Sequence, residues 1–440
     1  MPYDGERASK LGHLYLLNSE WVRDLVSGFE RAPAAAGDPC GTPWQSFDSS
    51  ISKPLSRVWA VDGSFVEVKS SDVPPREVAF VKTALVLLDR EQMAEIDPHF
   101  PHPLDLRDAM ASSGLFHATV FPLRHIRSSK GKSNYDAVRH IINDSIRLSE
   151  SGAFYETLKW LAYRKWGTAP TRSPDFQCPH CTKDISEGLD PDADDGKCPH
   201  CSEKVFLTDM PGFHQGMGED AAPLAVASDY MLVMEHLMLL TPVRLAWESS
   251  DENLIRDTLF LKDGPLTLRG QYSKLVDPIR AFLQFAKTKG RPVHIVGQEK
   301  TGAFVDHLVG IGRFAPPQER GQQPAAAVLT HEFVRREVQR MPRTNPYGLK
   351  TNWGEKVYLK LDPSTMMVLS IPTGDYDRRD DFPTRSDLIG VDRILATLPE
   401  LVSRRFEGGL YPIELANGIA SLSSYPSAKI LERFLEAPRR

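Results

Sequence analysis

Two Cys-x-x-Cys turns, Cys178-Pro-His-Cys181 and Cys198-Pro-His-Cys201, constrain this 440-residue chain more than any other feature; sixteen residues separate them. Each turn presents two thiolates about one tetrahedral edge apart, so together they complete a four-thiolate shell for Zn²⁺. Such a shell leaves no open coordination position, which makes the zinc structural. Symmetric spacing favours sulfur over His180 and His200, which sit inside the turns. The surrounding segment, 170–210, is rich in proline and poor in apolar periodicity, and is expected to need the metal in order to fold. Between the turns, Lys183 to Gly196 holds six acids and one lysine. The spacing Asp190-x-Asp192-x-Asp194 hints at a calcium loop, but the glycine falls one position late and the twelfth position is Cys201 in place of glutamate. A solvated acidic loop is expected. The fifth cysteine, Cys40, reads as a free thiol. An odd count with no secretory leader points to a reducing, cytoplasmic location.

On either side of this segment the pattern is mixed α/β. Val58 to Val61, Phe65 to Val68 and Val78 to Leu88 read as three consecutive strands of an antiparallel meander, the first ending in the turn Asp62-Gly63-Ser64. Helix is expected over 10–31, 134–166 (with a break at Ser151-Gly152), 222–240, 386–403 and 412–436. The strand 257–263, the helix 278–289 and the strand 292–297 make a right-handed βαβ unit, so part of the sheet is parallel. Residues 313–327 read as a surface loop, and 357–361 with 366–371 as a hairpin. No internal repeat is evident. The expected organisation is an N-terminal helix and linker (1–50), a split domain (51–169 and 211–440), and an inserted zinc ribbon (170–210).

Two aspartates end buried strands. Asp62 follows Val58-Trp-Ala-Val61, and Asp263 follows Leu259-Phe-Leu-Lys262; each precedes a glycine. A carboxylate at such a place is costly unless it meets a cation or is well hydrogen-bonded. Asp-Gly is also ordinary turn chemistry; the pair together points to a divalent metal. Glu235 interrupts the apolar run Tyr230 to Leu240, and a helix crossing the sheet would aim it between the two aspartates. The net charge of −5 comes from 53 basic and 58 acidic residues. The acidic loop alone accounts for it, leaving 52 of each sign elsewhere, so the charge does not exclude a DNA partner. Basic clusters at Arg124 to Lys132, Arg335-Arg336 with Arg340 and Arg343, and Arg378-Arg379 could hold phosphates. No aromatic-rich platform for single strands is evident. No run approaches the ~20 apolar residues that span a bilayer, so no membrane partner is expected.

These residues resemble the NurA nucleases, the partners of the hexameric HerA translocase. The resemblance rests on Val58-Trp-Ala-Val-Asp-Gly-Ser64, Phe260-Leu-Lys-Asp-Gly-Pro-Leu266, Val296-Gly-Gln-Glu-Lys-Thr301 and Tyr411-Pro-Ile-Glu-Leu-Ala-Asn417, in order over residues 58–420. It implies a ribonuclease-H-like mixed sheet flanked by helices, and a Mn²⁺- or Mg²⁺-dependent DNA nuclease active in end resection or anti-phage DNA degradation. It also implies a homodimer that receives DNA from a HerA-like ATPase. Asp62 and Asp263 match the family's metal-binding aspartates, Glu235 the helical glutamate between them, and Lys300 the lysine of the Val-Gly-x-x-Lys block. Asn417 stands where the family usually carries a histidine, and Glu414, one turn earlier, is its substitute as a ligand. That departure keeps open a catalytically silent subunit that regulates the ATPase. The zinc segment is a second departure from the family pattern.

Overall fold

The computed structural model describes residues 19–28, 41–89, 114–131, 133–218, 224–249, 251–342, 347–377, 379–403, 409–422 and 427–436. Cys40, Lys132, Arg343, Arg378 and most of the expected helix 10–31 lie outside them. The chain divides at residue 41 into two units. In the first, helix α1 (Glu20–Ser27) begins where the Ser19 hydroxyl accepts the Val22 amide, an N-cap bond.

Among the described residues, the second unit carries a nine-stranded sheet and two short hairpins. Strands β1 (Trp44–Ser46), β2 (Arg57–Lys69), β3 (Glu77–Asp89) and β4 (Gly114–Arg124) precede helices α2 (Asn134–Leu148) and α3 (Ala153–Ala162). A kink at Glu150 and Ser151, both with positive φ, separates those helices at the expected break. The cysteine segment supplies two short hairpins, β5 (Phe176–Gln177) with β6 (Asp184–Ile185) and β7 (Asp195–Lys197) with β8 (Lys204–Phe206). Then follow α4 (Ala225–Glu248), β9 (Thr258–Asp263), α5 (Val276–Thr288), β10 (His294–Glu299), α6 (Ala303–Ile311), β11 (Ala325–Val328), β12 (Glu355–Lys360), β13 (Met366–Ile371), α7 (Val391–Leu401), α8 (Tyr411–Ala420) and α9 (Ser427–Glu436).

The sheet order is β1-β11-β12-β13-β10-β9-β2-β3-β4. Only β2–β9 and β9–β10 pair in parallel, the latter through the α5 crossover. This is a large mixed sheet flanked by helices. One face is covered by α2, α3, α4, α5 and the cysteine segment, and the other by α7 and α8. Phe176, Ile185, Leu189 and Val205 of the cysteine segment belong to the same apolar cluster as Leu158 and Phe282. The segment therefore finishes the core of the larger body and has no core of its own.

Four local expectations differ from the fold; one is the helix expected over 412–436, which is two helices, α8 ending at Ala420 and α9 beginning at Ser427. The first two strands of the expected meander are one: β2 runs unbroken through Asp62-Gly63-Ser64, because β3 pairs with it residue for residue from Asp89 to Glu77. The meander's third strand is β4, which the apolar pattern had not marked. Residues 325–327, read as the end of a surface loop, form with Val328 the strand β11 between β1 and β12.

Candidate functional site

Alternation along β2 divides its side chains between the two faces. Val61 packs with the α4 side and Ala60 with the α7–α8 side, so Asp62 shares the second face. Gly63 returns to the α4 side, where the helix crosses closely. A Cβ at Gly63 would lie 2.6 Å from Met231 Cγ and 2.7 Å from Glu235 Oε1. Glycine is required there by that close approach, not by a turn.

In the β2–β9 register Val61 opposes Lys262, which puts Asp263 next to Asp62 on the same face; Asp263 in turn opposes Gln298 of β10. Three polar side chains thus stand in one row across three parallel strands, at the carboxyl ends of β9 and β10. Asp62 is only 4% exposed. Its Oδ1 accepts the Gly63 amide at 2.7 Å, while its buried Oδ2 has no hydrogen-bond partner. Burial, then the charge of Asp263, then that of Glu235 push the Asp62 carboxyl up to about 8. Lys300 opposes that shift and lies 3.1 Å from Asp263. The tight turn after Asp263 is held by Gly264, at φ +87°, whose amide donates to the Gln298 carbonyl at 2.6 Å. Gln298 was not anticipated. The signal for it was the strand period, which gives Gln298 the same face as Val296.

Glu235 is placed elsewhere. It contacts Gly63 from the α4 face and forms a buried ion pair with Lys262 at 2.6 Å. Lys262 also donates to the Asp263 carbonyl at 2.6 Å, which fixes the end of β9. Burial raises the Glu235 carboxyl, and Lys262 works against that rise. Beside them His236 is pushed down to about 3, first by burial and then by Lys262. Removing one partner of a buried pair leaves an uncompensated charge. Lys262→Met is therefore expected to cost about 3–5 kcal/mol in denaturant melts, and Glu235→Gln/Lys262→Met appreciably less.

Helix α8 packs across β2 and β3, and just beyond it the Leu422 amide donates to Ser64 Oγ at 3.3 Å. On this helix Glu414 is half-buried and Asn417 exposed. Thus Asp62, Asp263 and Lys300 come together, Glu235 approaches from the opposite face, and Glu414 and Asn417 belong to the helix over the row's own face. Two adjacent carboxylates, Asp62 buried with an orphaned oxygen and Asp263 partly exposed, fit a hard dication, which takes oxygen ligands. Among the described residues, however, only the four cysteines bring three or more ligand atoms within 4.8 Å of one another.

The cysteine cluster is built as two copies of one turn. Thr182 and Ser202 both adopt positive φ, and their amides return to the carbonyls of Cys178 and Cys198 at 3.0 and 2.9 Å. The amides of His180 and His200 each donate to the first sulfur of their own turn at 3.4 Å. The two Cys-Pro-His-Cys turns are thus a short internal repeat, where none was expected. Sulfur–sulfur distances of 3.8 Å (Cys178–Cys201) and 3.7 Å (Cys181–Cys198) match the roughly 3.8 Å edge of a tetrahedron with Zn–S bonds of about 2.3 Å. The cluster can hold a structural metal such as zinc. Neither histidine ring joins the sulfurs: His180 Nε2 lies 3.0 Å from the Lys204 carbonyl and His200 Nε2 3.1 Å from the Asp184 carbonyl, so each turn braces the other hairpin. Burial opposes ionisation of Cys198, but the His200 and Cys201 amides outweigh it and bring the thiol down to about 6, whereas burial holds Cys178 up to about 12.

The acidic loop lies at the surface as expected, with none of its six carboxylates buried, but it is also tied down by ion pairs. Asp194 pairs with Arg147 and Lys159 at 3.0 Å each, and Asp192 with Lys159 and Lys165 at 3.1 Å each. Arg139, itself buried, grips Asp209 through two bonds of 3.0 and 2.8 Å. These contacts fasten the cysteine segment to α2 and α3 and engage the carboxylates that a calcium loop would need.

No protein-family model matches the chain, and no curated protein does.

Proposed function

We propose that the protein is a metal-dependent DNA nuclease of the NurA type, with a ribonuclease-H-like fold, acting in the cytoplasm as a homodimer with a HerA-like translocase. The observation that carries this reading is the side-by-side placement of Asp62 and Asp263, with one buried carboxylate oxygen unsatisfied. Three antiparallel strands joined to parallel β9 and β10 support the fold assignment. Asp62 and Asp263 would hold Mn²⁺ or Mg²⁺; Glu414 does not stand in one ligand cluster with them, and it and Asn417 of α8 are candidates for further ligands by the family resemblance alone. Divalent ions there supply Lewis-acid activation of water and phosphodiester. A cation held there would favour the ionised form of Asp62, which burial otherwise disfavours. Lys300, 34% exposed beside Asp263, is free to turn outward and neutralise a phosphate. Glu235 acts from the far face, through Lys262 and the end of β9. Among the described residues no helix is long and apolar enough to cross a membrane.

The test is degradation of linear and single-stranded DNA with and without Mn²⁺. Wild type is expected to degrade DNA only with the metal, and Asp62→Ala to lose at least ~10³-fold in rate, the scale of losing electrostatic stabilisation at a reacting centre. Equal degradation by the two would overturn the assignment. The second reading, a silent subunit that regulates the ATPase, draws on the Glu235–Lys262 pair, which engages the third carboxylate, and on Asn417. It predicts that wild type and Asp62→Ala stimulate ATP hydrolysis by the partner equally and that neither cuts DNA.

A further inference from the structure

Strand β4 forms one edge of the sheet, and its two faces differ. His117 and Phe121 are buried on the α2–α4 side, whereas Phe116 and Val120 are 57% and 41% exposed on the other. That exposed face is the one that carries Asp62. Asp62 opposes Ala84, and Ala84 opposes Phe116, so carboxylate and ring share one row two strand spacings apart, about 10 Å. Two residues along β3, Lys82 Nζ lies 5.1 Å from the centre of the Phe116 ring. Two residues further, Phe80 meets Phe434 of α9 edge-on, with centroids 6.5 Å apart. There a groove of about 580 Å³ opens, its walls including Phe80, Phe434, Arg76 and Arg127 and no acidic side chain. Among the described residues Lys82 and Arg127 form no ion pair; Arg76 pairs with Asp72 at the rim.

We propose that this lane binds single-stranded nucleic acid, with bases stacked on Phe116 and the Phe80–Phe434 pair and phosphates held by Lys82, Arg76 and Arg127; Ala84, fully buried between Phe116 and Asp62, separates the lane from the carboxylate row. This binding chemistry does not rest on the nuclease reading. Aromatic faces accept any base, and interleaved cations follow a backbone without reading sequence. A duplex hides its bases inside the stack and cannot use the rings. An apolar peptide would have no use for a cationic rim.

The experiment measures anisotropy of a labelled oligo-thymidylate of about 16 nucleotides and of a matching duplex, in EDTA so that nothing is cut. Wild type is expected to prefer the single strand. Phe116→Ala/Phe434→Ala, both at exposed positions, is expected to weaken single-strand binding about tenfold or more. Arg127→Glu is expected to weaken it and to flatten its salt dependence. Wild-type binding by the double variant would overturn the proposal. So would equal losses on duplex and single strand, or a shift from dimer to monomer with oligonucleotide binding retained, which would mark the face as a protein interface. If Asp62→Asn still cuts DNA while the ring variants lose binding, the nuclease reading falls and the lane stands. If Asp62→Asn is inactive while the ring variants bind normally, the lane alone falls.

Discussion

Asp62→Asn is expected to make the metal-free protein more stable while abolishing its Mn²⁺-dependent activity. The folded-state carboxyl titrates near 8 against an ordinary 3.8, because burial and the neighbouring Asp263 and Glu235 disfavour its charge. Between those two values the folded wild type holds a proton that the unfolded chain has released. Wild-type stability therefore falls as pH rises from about 4 to about 8, and the loss is complete above 8. Asparagine carries no such proton. The variant's advantage should be absent at pH 3, grow through neutrality and level off by pH 9. There it should reach at least ~1.4 kcal/mol, the worth of one pKa unit. Urea melts of both proteins in EDTA across this range provide the check. An Asp62 that is merely a turn residue would show no pH-dependent difference.

Removal of zinc is expected to have the larger structural effect. Because Phe176, Ile185, Leu189 and Val205 lie in the main apolar cluster, the loss cannot be confined to the cysteine segment. Binding of a structural zinc is itself folding free energy, and each buried large side chain uncovered adds about 1.5–3 kcal/mol. Chelation, or Cys198→Ser, should lower stability by more than ~5 kcal/mol and expose tryptophan fluorescence, since Trp160 and Trp166 pack on Phe282 in the same cluster. One zinc per chain is expected in freshly purified protein. A local change limited to residues 170–210 would contradict this integration.

The parts of the site that the sequence revealed are those governed by short-range rules. Cysteine spacing set the four-sulfur cluster, and Asp263 stands where a buried strand meets Asp-Gly. Asp62 was noticed for a partly mistaken reason: glycine after it suggested a turn, whereas the glycine admits α4 against a continuous strand. Glu235 could not be oriented because α4 is buried nearly all round, so its periodicity gives no direction for any one side chain. Strand β4 was hidden because Phe116 and Val120 are apolar on its exposed face, which erases the alternation of a half-buried strand. The Ala325-Ala-Ala-Val328 strand was hidden because alanine has little strand preference; its pairing with β1 and β12 decides its state. Lys262 and Gln298 became meaningful only through register, which brings Lys262 to Glu235 and Gln298 to Asp263.

The central claim is that Asp62 and Asp263 form a divalent-cation site, and Mn²⁺ titration followed by electron paramagnetic resonance tests it most directly. In zinc-loaded wild type at pH 8, the signal of free Mn²⁺ should fall as the ion binds. Asp62→Asn and Asp263→Asn should each abolish that loss with zinc content unchanged. Undiminished Mn²⁺ binding by the Asp62→Asn/Asp263→Asn double variant would contradict the account.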